Sequence, residues 1–82
     1  MPNVTYYVAL PFIDGDDGPV PDEAVECTSE RAAIMRAELF SRKDGMAGAV
    51  AFSRSGDPSS GEFADAVLLR AFGDVPTDLS AL

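Results

Sequence analysis

The sequence predicts a small α+β domain in which one helix packs on one face of a mostly antiparallel sheet, in the order β-(β)-α-β-β. Three observations predict this class. An apolar run rich in β-branched and aromatic residues comes first, one amphipathic helical pattern follows, and two further apolar runs are separated by turn residues. The 82 residues suffice for one domain. We assign it to residues 1–76 and expect a short, frayed C-terminal tail at 77–82.

The first strand is predicted over residues 4–13, where Val, Ile, Tyr and Phe are concentrated ahead of Gly and Pro punctuation. Pro11 cannot donate a hydrogen bond within a sheet, so we expect it at an edge or at a strand end. Residues 14–21 are rich in Asp, Gly and Pro and predict a loop or wide turn. A short second strand at 24–27 would then form a hairpin with the first.

The single long helical pattern lies at residues 29–43. Thr28 or Ser29 can cap the free N–H groups of its first turn. Apolar residues recur at three- and four-residue spacing from Ala33 onward and make one stripe, while most of the charged residues lie outside it. Gly45 follows the last turn and is a plausible stop for the helix.

The second half of the chain predicts two more strands. Residues 47–52 are apolar on both faces, which indicates a strand in the middle of the sheet, and their small side chains predict close packing of the helix. Residues 53–61 predict a turn-rich connection. Residues 62–72 fit either an alternating strand or a helix that stops at Gly73. We favour the strand, because a hairpin with the preceding strand completes the sheet.

The charge of the chain disfavours two classes of partner. Six Lys and Arg stand against 14 Asp and Glu, so the formal net charge is −8 and the pI is about 4.1. This field repels a nucleic-acid backbone and an anionic membrane surface, and we expect neither as a partner. A single cysteine, no basic leader and no long apolar run favour a reducing, cytoplasmic location.

The residue types of common catalytic sites are missing or isolated. The chain has no histidine, which removes the most frequent general base and metal ligand. Cys27 is either a nucleophile activated by the following helix N-terminus or, as we favour, a small buried hydrophobe. Residues 14–18 resemble the start of a calcium loop but depart from the EF-hand pattern at its later positions. We therefore expect no enzyme, no cofactor and no metal site.

The sheet face opposite the helix is the most informative surface. A single helix covers one face, so the other face either exposes apolar side chains or meets a partner. Tyr6 and Tyr7 are adjacent in a strand and point to opposite faces. We assign Tyr7, Arg54 and Asp57 to a candidate interaction surface. We expect a non-catalytic protein-interaction module that uses its sheet face or an edge strand, as a homodimer or with one protein partner.

Two alternatives remain open for the function. Arg54, Ser55 and Asp57 lie in the predicted 53–61 loop, where glycines allow close backbone approach, and would form the site of a small-molecule-binding or regulatory domain. The excess of acids would instead suit an acidic mimic of a nucleic acid. Such a mimic requires acids that cluster on one face.

Four short stretches carry a resemblance: Gly48-Ala-Val-Ala-Phe-Ser-Arg54, Gly56-Asp57-Pro58, Gly61-Glu62 and Phe72-Gly73-Asp74-Val75-Pro76. In the order and spacing of these stretches, over residues 24–76, the chain resembles a group of small, uncharacterised bacterial proteins of unknown function, chiefly alphaproteobacterial. The resemblance implies a bacterial cytoplasmic origin. It implies no activity, ligand or catalytic residue.

Overall fold

The computed structural model describes residues 3–76, and within them six strands and one helix form. The elements are β1 (Val4–Gly15), β2 (Gly18–Pro21), β3 (Val25–Cys27), α1 (Glu30–Ser41), β4 (Met46–Asp57), β5 (Glu62–Phe63) and β6 (Val67–Gly73). The predicted class is confirmed, because one helix packs against a mostly antiparallel, curled sheet. No helix in this part of the chain has the length and hydrophobicity that a membrane span needs. The tail predicted at 77–82 lies outside the described residues.

Two long antiparallel strands, β1 and β4, form the centre of the sheet. Their pairing runs from Val4 opposite Gly56 to Ile13 opposite Met46. β2 and β3 pair with the outer side of β1, and β5 and β6 pair with the outer side of β4. The chain leaves β3 through α1 and returns as β4, so the helix passes over β1 and covers one face of the sheet.

The loop or wide turn predicted at residues 14–21 is wrong. β1 continues to Gly15 and β2 begins at Gly18, so Asp16 and Asp17 alone make the turn of a tight β-hairpin. Gly18 has a φ of 120°, which glycine adopts without steric cost. β2 was not predicted as a strand, because two of its four residues are prolines, which lack the N–H donor of a sheet. They are tolerated because β2 is an outer strand, where missing N–H donors do not break a central ladder.

Pro11 lies inside an interior strand, contrary to the expected edge or strand end. Its carbonyl accepts a hydrogen bond from the Asp22 N–H at 2.9 Å, on the side of β2 and β3. The N–H and C=O of one strand residue point to the same neighbour. The missing donor of Pro11 therefore also faces that side, where the outer strand is interrupted between Pro21 and Val25. The ladder between β1 and β4 loses no hydrogen bond.

The helix forms where the sequence predicts it and is slightly shorter than residues 29–43. Ser29 is the N-cap, and its hydroxyl accepts a hydrogen bond from the Ala32 N–H at 3.1 Å. The helix ends at Ser41, ahead of the predicted stop at Gly45. Gly45, with a φ of 84°, instead turns the chain into β4.

Alanines form the contact between the helix and the sheet. Ala33 and Ala37 of α1, Ala9 of β1, and Ala49 and Ala51 of β4 are all fully buried and make one cluster. Methyl groups are the only side chains between the backbones here, so the helix lies close to the strands, as the small residues of β4 predicted. We call this group the alanine cluster. Larger, partly buried side chains surround it, namely Tyr7, Cys27, Ile34, Phe40, Leu69 and Phe72.

Residues 62–72 form strands, as we favoured, although β5 and β6 are separated by a break at 64–66. β4 is interior, as predicted for residues 47–52, but it runs on to Asp57. The turn-rich connection predicted at 53–61 is therefore wrong for residues 53–57. Their Ser and Gly residues have turn chemistry, but pairing with β1 on one side and β5 on the other overrides that local preference.

The sheet face away from the helix is only half open. Near the β1–β2 hairpin, Leu10, Phe12 and Val50 form a second buried cluster. Val75 packs against this cluster over Gly48, where an added Cβ would come within 2.9 Å of the Val75 Cγ1. The chain thus covers this half of the face itself, and the uncovered face that we expected is reduced to the other half.

Candidate interaction surface

The half of the sheet face away from the helix that the chain leaves uncovered is a surface that we call the open face. Every second residue of a strand points to this side, and the strand registers bring these residues together. The open face consists of Val4, Tyr6 and Val8 of β1, Phe52 and Arg54 of β4, Phe63 of β5 and Leu68 of β6. Three of its apolar side chains are more than a third exposed, at 39% for Val4, 37% for Phe63 and 36% for Leu68.

Phe63 lies over Gly56, which has no side chain to hold the ring away from the strand. A Cβ at position 56 would overlap the Phe63 Cδ1 and would lie 2.7 Å from the Phe63 Cα. The Phe63 ring also lies 5.9 Å from the Tyr6 ring between centroids, within the range of favourable aromatic pairs. Two aromatic rings therefore lie side by side on the open face.

Arg54 is the cation of the open face, and its neighbours hold it in place. Its Nε donates a hydrogen bond to the Ala64 carbonyl at 3.0 Å. Its guanidinium carbon lies 5.7 Å from the centroid of the Phe63 ring, a cation–π distance. Within residues 3–76 the one ion pair joins Arg42 to Glu38, so Arg54 has no carboxylate partner in that range. Its other N–H donors are available to a second molecule.

The two tyrosines point to opposite faces, but the one on the open face is Tyr6. Tyr7, which we assigned to the candidate interaction surface, is partly buried against the alanine cluster on the helix side. The close helix requires a small side chain beneath it, which is Ala9, and Tyr7 lies on the same side of β1. The sequence indicated which side the helix covers, because Ala9 is small whereas Leu10 is bulky. Since side chains along a strand point alternately to its two faces, Ala9 and Tyr7 share the helix side and Tyr6 lies on the opposite side.

Asp57 lies at the end of β4 and serves its own turn. Its Oδ1 accepts hydrogen bonds from the Ser59 hydroxyl at 2.7 Å and from the Ser59 N–H at 2.9 Å. These hydrogen bonds lower the pKa of Asp57 below its usual value of 3.8, because they favour the ionised carboxyl. The bond from the Ser59 hydroxyl has the largest effect, followed by the bond from the Ser59 N–H. Asp57 is three residues from Arg54, so alternation sets it on the other side of β4. The structure does not bring these two predicted residues together.

A shallow cleft lies beside the open face, at the turn between β4 and β5. Its volume is about 460 Å³, and its lining includes Ser55, Asp57, Ser60 and Glu62. It therefore contains two of the residues that we named for small-molecule binding. Arg54, the third, is not part of its lining.

One carboxylate lies at the margin of the open face. Glu26 of β3 is opposite Val8, and alternation puts its side chain on the same side, since its neighbour Cys27 packs on the helix side. Glu26 is exposed. Along residues 4–12 of β1 and the strand segments paired with them, the charged side chains on this side are Arg54 and Glu26. Among these strand residues, the one positive and the one negative charge on this side balance in a strongly acidic protein.

The other chemically active groups of the sequence lie away from the open face. Cys27 packs against the alanine cluster, and its thiol donates to the Val25 carbonyl at 3.7 Å. The aspartates of residues 14–18 belong to the β1–β2 hairpin. Between residues 3 and 76, no three His, Cys, Asp or Glu side chains are placed to hold a metal ion.

Comparison of the chain with known protein families, with curated proteins and with solved structures finds no match. The resemblance to small alphaproteobacterial proteins therefore stays a prediction. The open face, rather than any relative, is the ground for inferring a function.

Proposed function

We propose that the protein is a non-catalytic interaction module that binds another protein surface through its open face. One observation carries this proposal. In a chain of net charge −8, the open face exposes apolar and aromatic side chains from four strands around a single arginine. Exposed apolar patches that are framed by polar residues mark protein-binding sites more often than chance. Aromatic and arginine side chains are also the types that interfaces favour.

The size of the open face predicts weak, reversible binding. The open face spans three strand positions about 4.8 Å apart, because β5 and β6 follow each other along the same side of β4, and about 20 Å of strand length gives roughly 300 Å² of face. That is less than half of what each partner buries in a standard interface of ~800 Å² per side. The gain from burying it is offset by the loss of rotational and translational freedom on association. We expect a complex that forms at high local concentration and exchanges quickly.

The outer edge of β6 is the second surface through which the module can act. β6 has seven residues and no proline, and it exposes 59% of Val67. The opposite edge is protected, because β2 contains Pro19 and Pro21 and is interrupted before β3. A partner that adds a strand would therefore join at β6.

Charged substitutions on the open face test the proposal. Leu68→Glu and Val4→Glu place a carboxylate on the open face, and Met35→Glu places one on the outer surface of the helix, where Met35 is 59% exposed. Sedimentation velocity and pull-down of bound protein should show loss of association for the first two variants and none for Met35→Glu. Thermal melts establish that each variant is folded. Equal association for all three variants would refute the proposal.

Small-molecule binding is the second candidate, and the shallow cleft favours it. Ser55, Asp57 and Ser60 offer hydroxyl and carboxylate groups to a ligand there. Amide chemical shifts recorded against a panel of cytoplasmic metabolites test it. Shifts limited to the cleft would support this candidate, and an unchanged spectrum would remove it.

An acidic mimic of nucleic acid is less well supported by the positions of the acids. Asp14, Asp16 and Asp17 lie at the β1–β2 hairpin, whereas Asp57 and Glu62 lie at the opposite end of the long strands. A mimic needs its acids along one surface. We also propose a bacterial cytoplasmic location, which the one cysteine supports because it suits a reducing compartment. Cell fractionation tests that location.

A further inference from the structure

We propose that the partner bound by the open face is a second copy of this chain, and that Arg54 of each copy pairs with Glu26 of the other. This inference rests on the proposed function and gives it a partner. Its basis is the placement of the two opposite charges that the strands contribute to this half of the face. Arg54 carries the positive charge and Glu26 the negative charge, and neither forms an ion pair within its own chain between residues 3 and 76.

The strand registers place the two charges symmetrically about β1. Arg54 lies beside Tyr6 on one side of β1, and Glu26 lies beside Val8 on the other side. With strands about 4.8 Å apart and about 3.4 Å per residue, the two positions are separated by ~12 Å, and their midpoint is on β1 between Tyr6 and Val8. The apolar centre of the open face therefore lies between the charges.

A two-fold axis in the plane between two facing copies exchanges these positions. When it passes over the midpoint on β1, perpendicular to the line that joins the charges, Arg54 of each copy lies against Glu26 of the partner copy. Such an interface uses the same patch twice and closes on itself. Tyr6 and Val8 of the two copies then meet at its centre, and the two ion pairs flank them.

The charge of the whole molecule favours this occupant for this particular face. Two copies of charge −8 repel each other, so contact requires a region without excess acid, and the repulsion is screened beyond about 8 Å at physiological salt. The open face and its margin provide such a region, because the charges of Arg54 and Glu26 cancel. A strongly basic partner would gain nothing from a balanced face and would bind the acidic ends of the strands instead.

Charge exchange tests the pairing. In the proposed dimer, Arg54→Glu puts two carboxylates together at both ends, and Glu26→Arg puts two guanidinium groups together. Each single variant should dimerise at least about tenfold more weakly than the natural chain. An equimolar mixture of the two variants should form a one-to-one heterodimer, because every contact is then between opposite charges. The double variant should dimerise like the natural chain.

The measurement is sedimentation equilibrium at protein concentrations up to about 1 mM, where a weak dimer is populated. Arg36→Glu on the helix and Asp17→Arg in the turn of the β1–β2 hairpin make the same charge changes at exposed positions away from the open face and should leave dimerisation unchanged. Arg54→Glu also removes the hydrogen bond to Ala64, so its effect on dimerisation has two causes. Glu26→Arg tests the charge pairing without that change. Melting curves establish that both variants are folded.

Three results would overturn the inference: a monomer at every concentration, a dimer that the single variants leave unchanged, or a mixture without heterodimer. The results that would refute the proposed function differ from those that would refute the dimer. If the natural chain is monomeric but Leu68→Glu abolishes binding to another protein, the second copy is wrong as the partner and the interaction module stands. If Leu68→Glu and Val4→Glu change no association at all, the open face is not a binding surface.

Discussion

Enlarging one alanine beneath the helix should destabilise the protein sharply. Ala37 is fully buried, and it faces alanines of β1 and β4 that are fully buried as well. Ala37→Leu adds three carbon atoms at a point where methyl groups are the only side chains between the backbones. The helix must then move away from the sheet, or the leucine must adopt a strained rotamer.

Two opposed contributions decide the sign of the effect. If the site could accept the leucine, three buried carbons would stabilise the fold by about 2.4 kcal/mol. Overpacking a filled site costs about 1–3 kcal/mol and forfeits that gain. Because five alanines meet here with no exposed surface, we expect the second contribution to win, with a net loss of ~2 kcal/mol. That is a large part of the roughly 4–12 kcal/mol expected for 82 residues.

Thermal and urea unfolding followed by circular dichroism measure this loss. A loss of ~2 kcal/mol lowers Tm by about 8–16 °C in a domain of this size. Met35→Leu is the matched control, since Met35 is 59% exposed on the same helix and the exchange conserves volume. An Ala37→Leu variant as stable as the natural chain, or more stable, would refute the close packing of helix and sheet.

Three further predictions concern individual contacts. Gly56→Ala should cost about 1–3 kcal/mol, because the new Cβ would overlap the Phe63 ring and backbone, and urea unfolding measures it. Ser29→Ala should cost about 1 kcal/mol through loss of the helix N-cap, visible as a lower Tm. Ser59→Ala should raise the lowered pKa of Asp57 toward 3.8, as followed by NMR of the carboxyl carbon. Because folding lowers that pKa, the associated stabilisation is present above about pH 4 and disappears as the pH falls through the folded-state pKa.

The types and order of the main elements, β1, β3, α1, β4 and β6, could be predicted because local signals and burial agree. Ser29 caps the helix that it was predicted to cap, and the spacing from Ala33 onward buries the predicted stripe. The strand at 47–52 is apolar on both faces and is interior, between β1 and β6. In each of these cases the residue that determines the local structure also determines the packing.

The errors arise where pairing with another strand overrides the local sequence preference. Residues 14–15, 18–21 and 53–56 have turn chemistry, yet they are strand segments, because they pair within the β1–β2 hairpin or between β4 and β1. Pro11 is tolerated in an interior strand because its missing donor faces a break in the neighbouring strand. No property of each segment by itself reveals these pairings.

The candidate site was predictable only in part, for a related reason. Arg54 is on the open face, but Tyr7 is under the helix and Asp57 is held in a turn. Which tyrosine faces outward depends on which side of β1 the helix covers, and the small Ala9 beside the bulky Leu10 was the signal for that side. Phe63 could not be placed from the sequence, because its position depends on Gly56, seven residues earlier, which offers the space.

The most direct test of the account is a dilution series of amide spectra of the natural chain, since its central claim is self-association through the open face. The account predicts concentration-dependent shifts at Val4–Val8, at Glu26, at Phe52 and Arg54, and at Phe63 and Leu68, with the helix amides of Glu30–Ser41 unchanged. Shifts on the outer surface of the helix, or a spectrum that does not change with concentration, would contradict it.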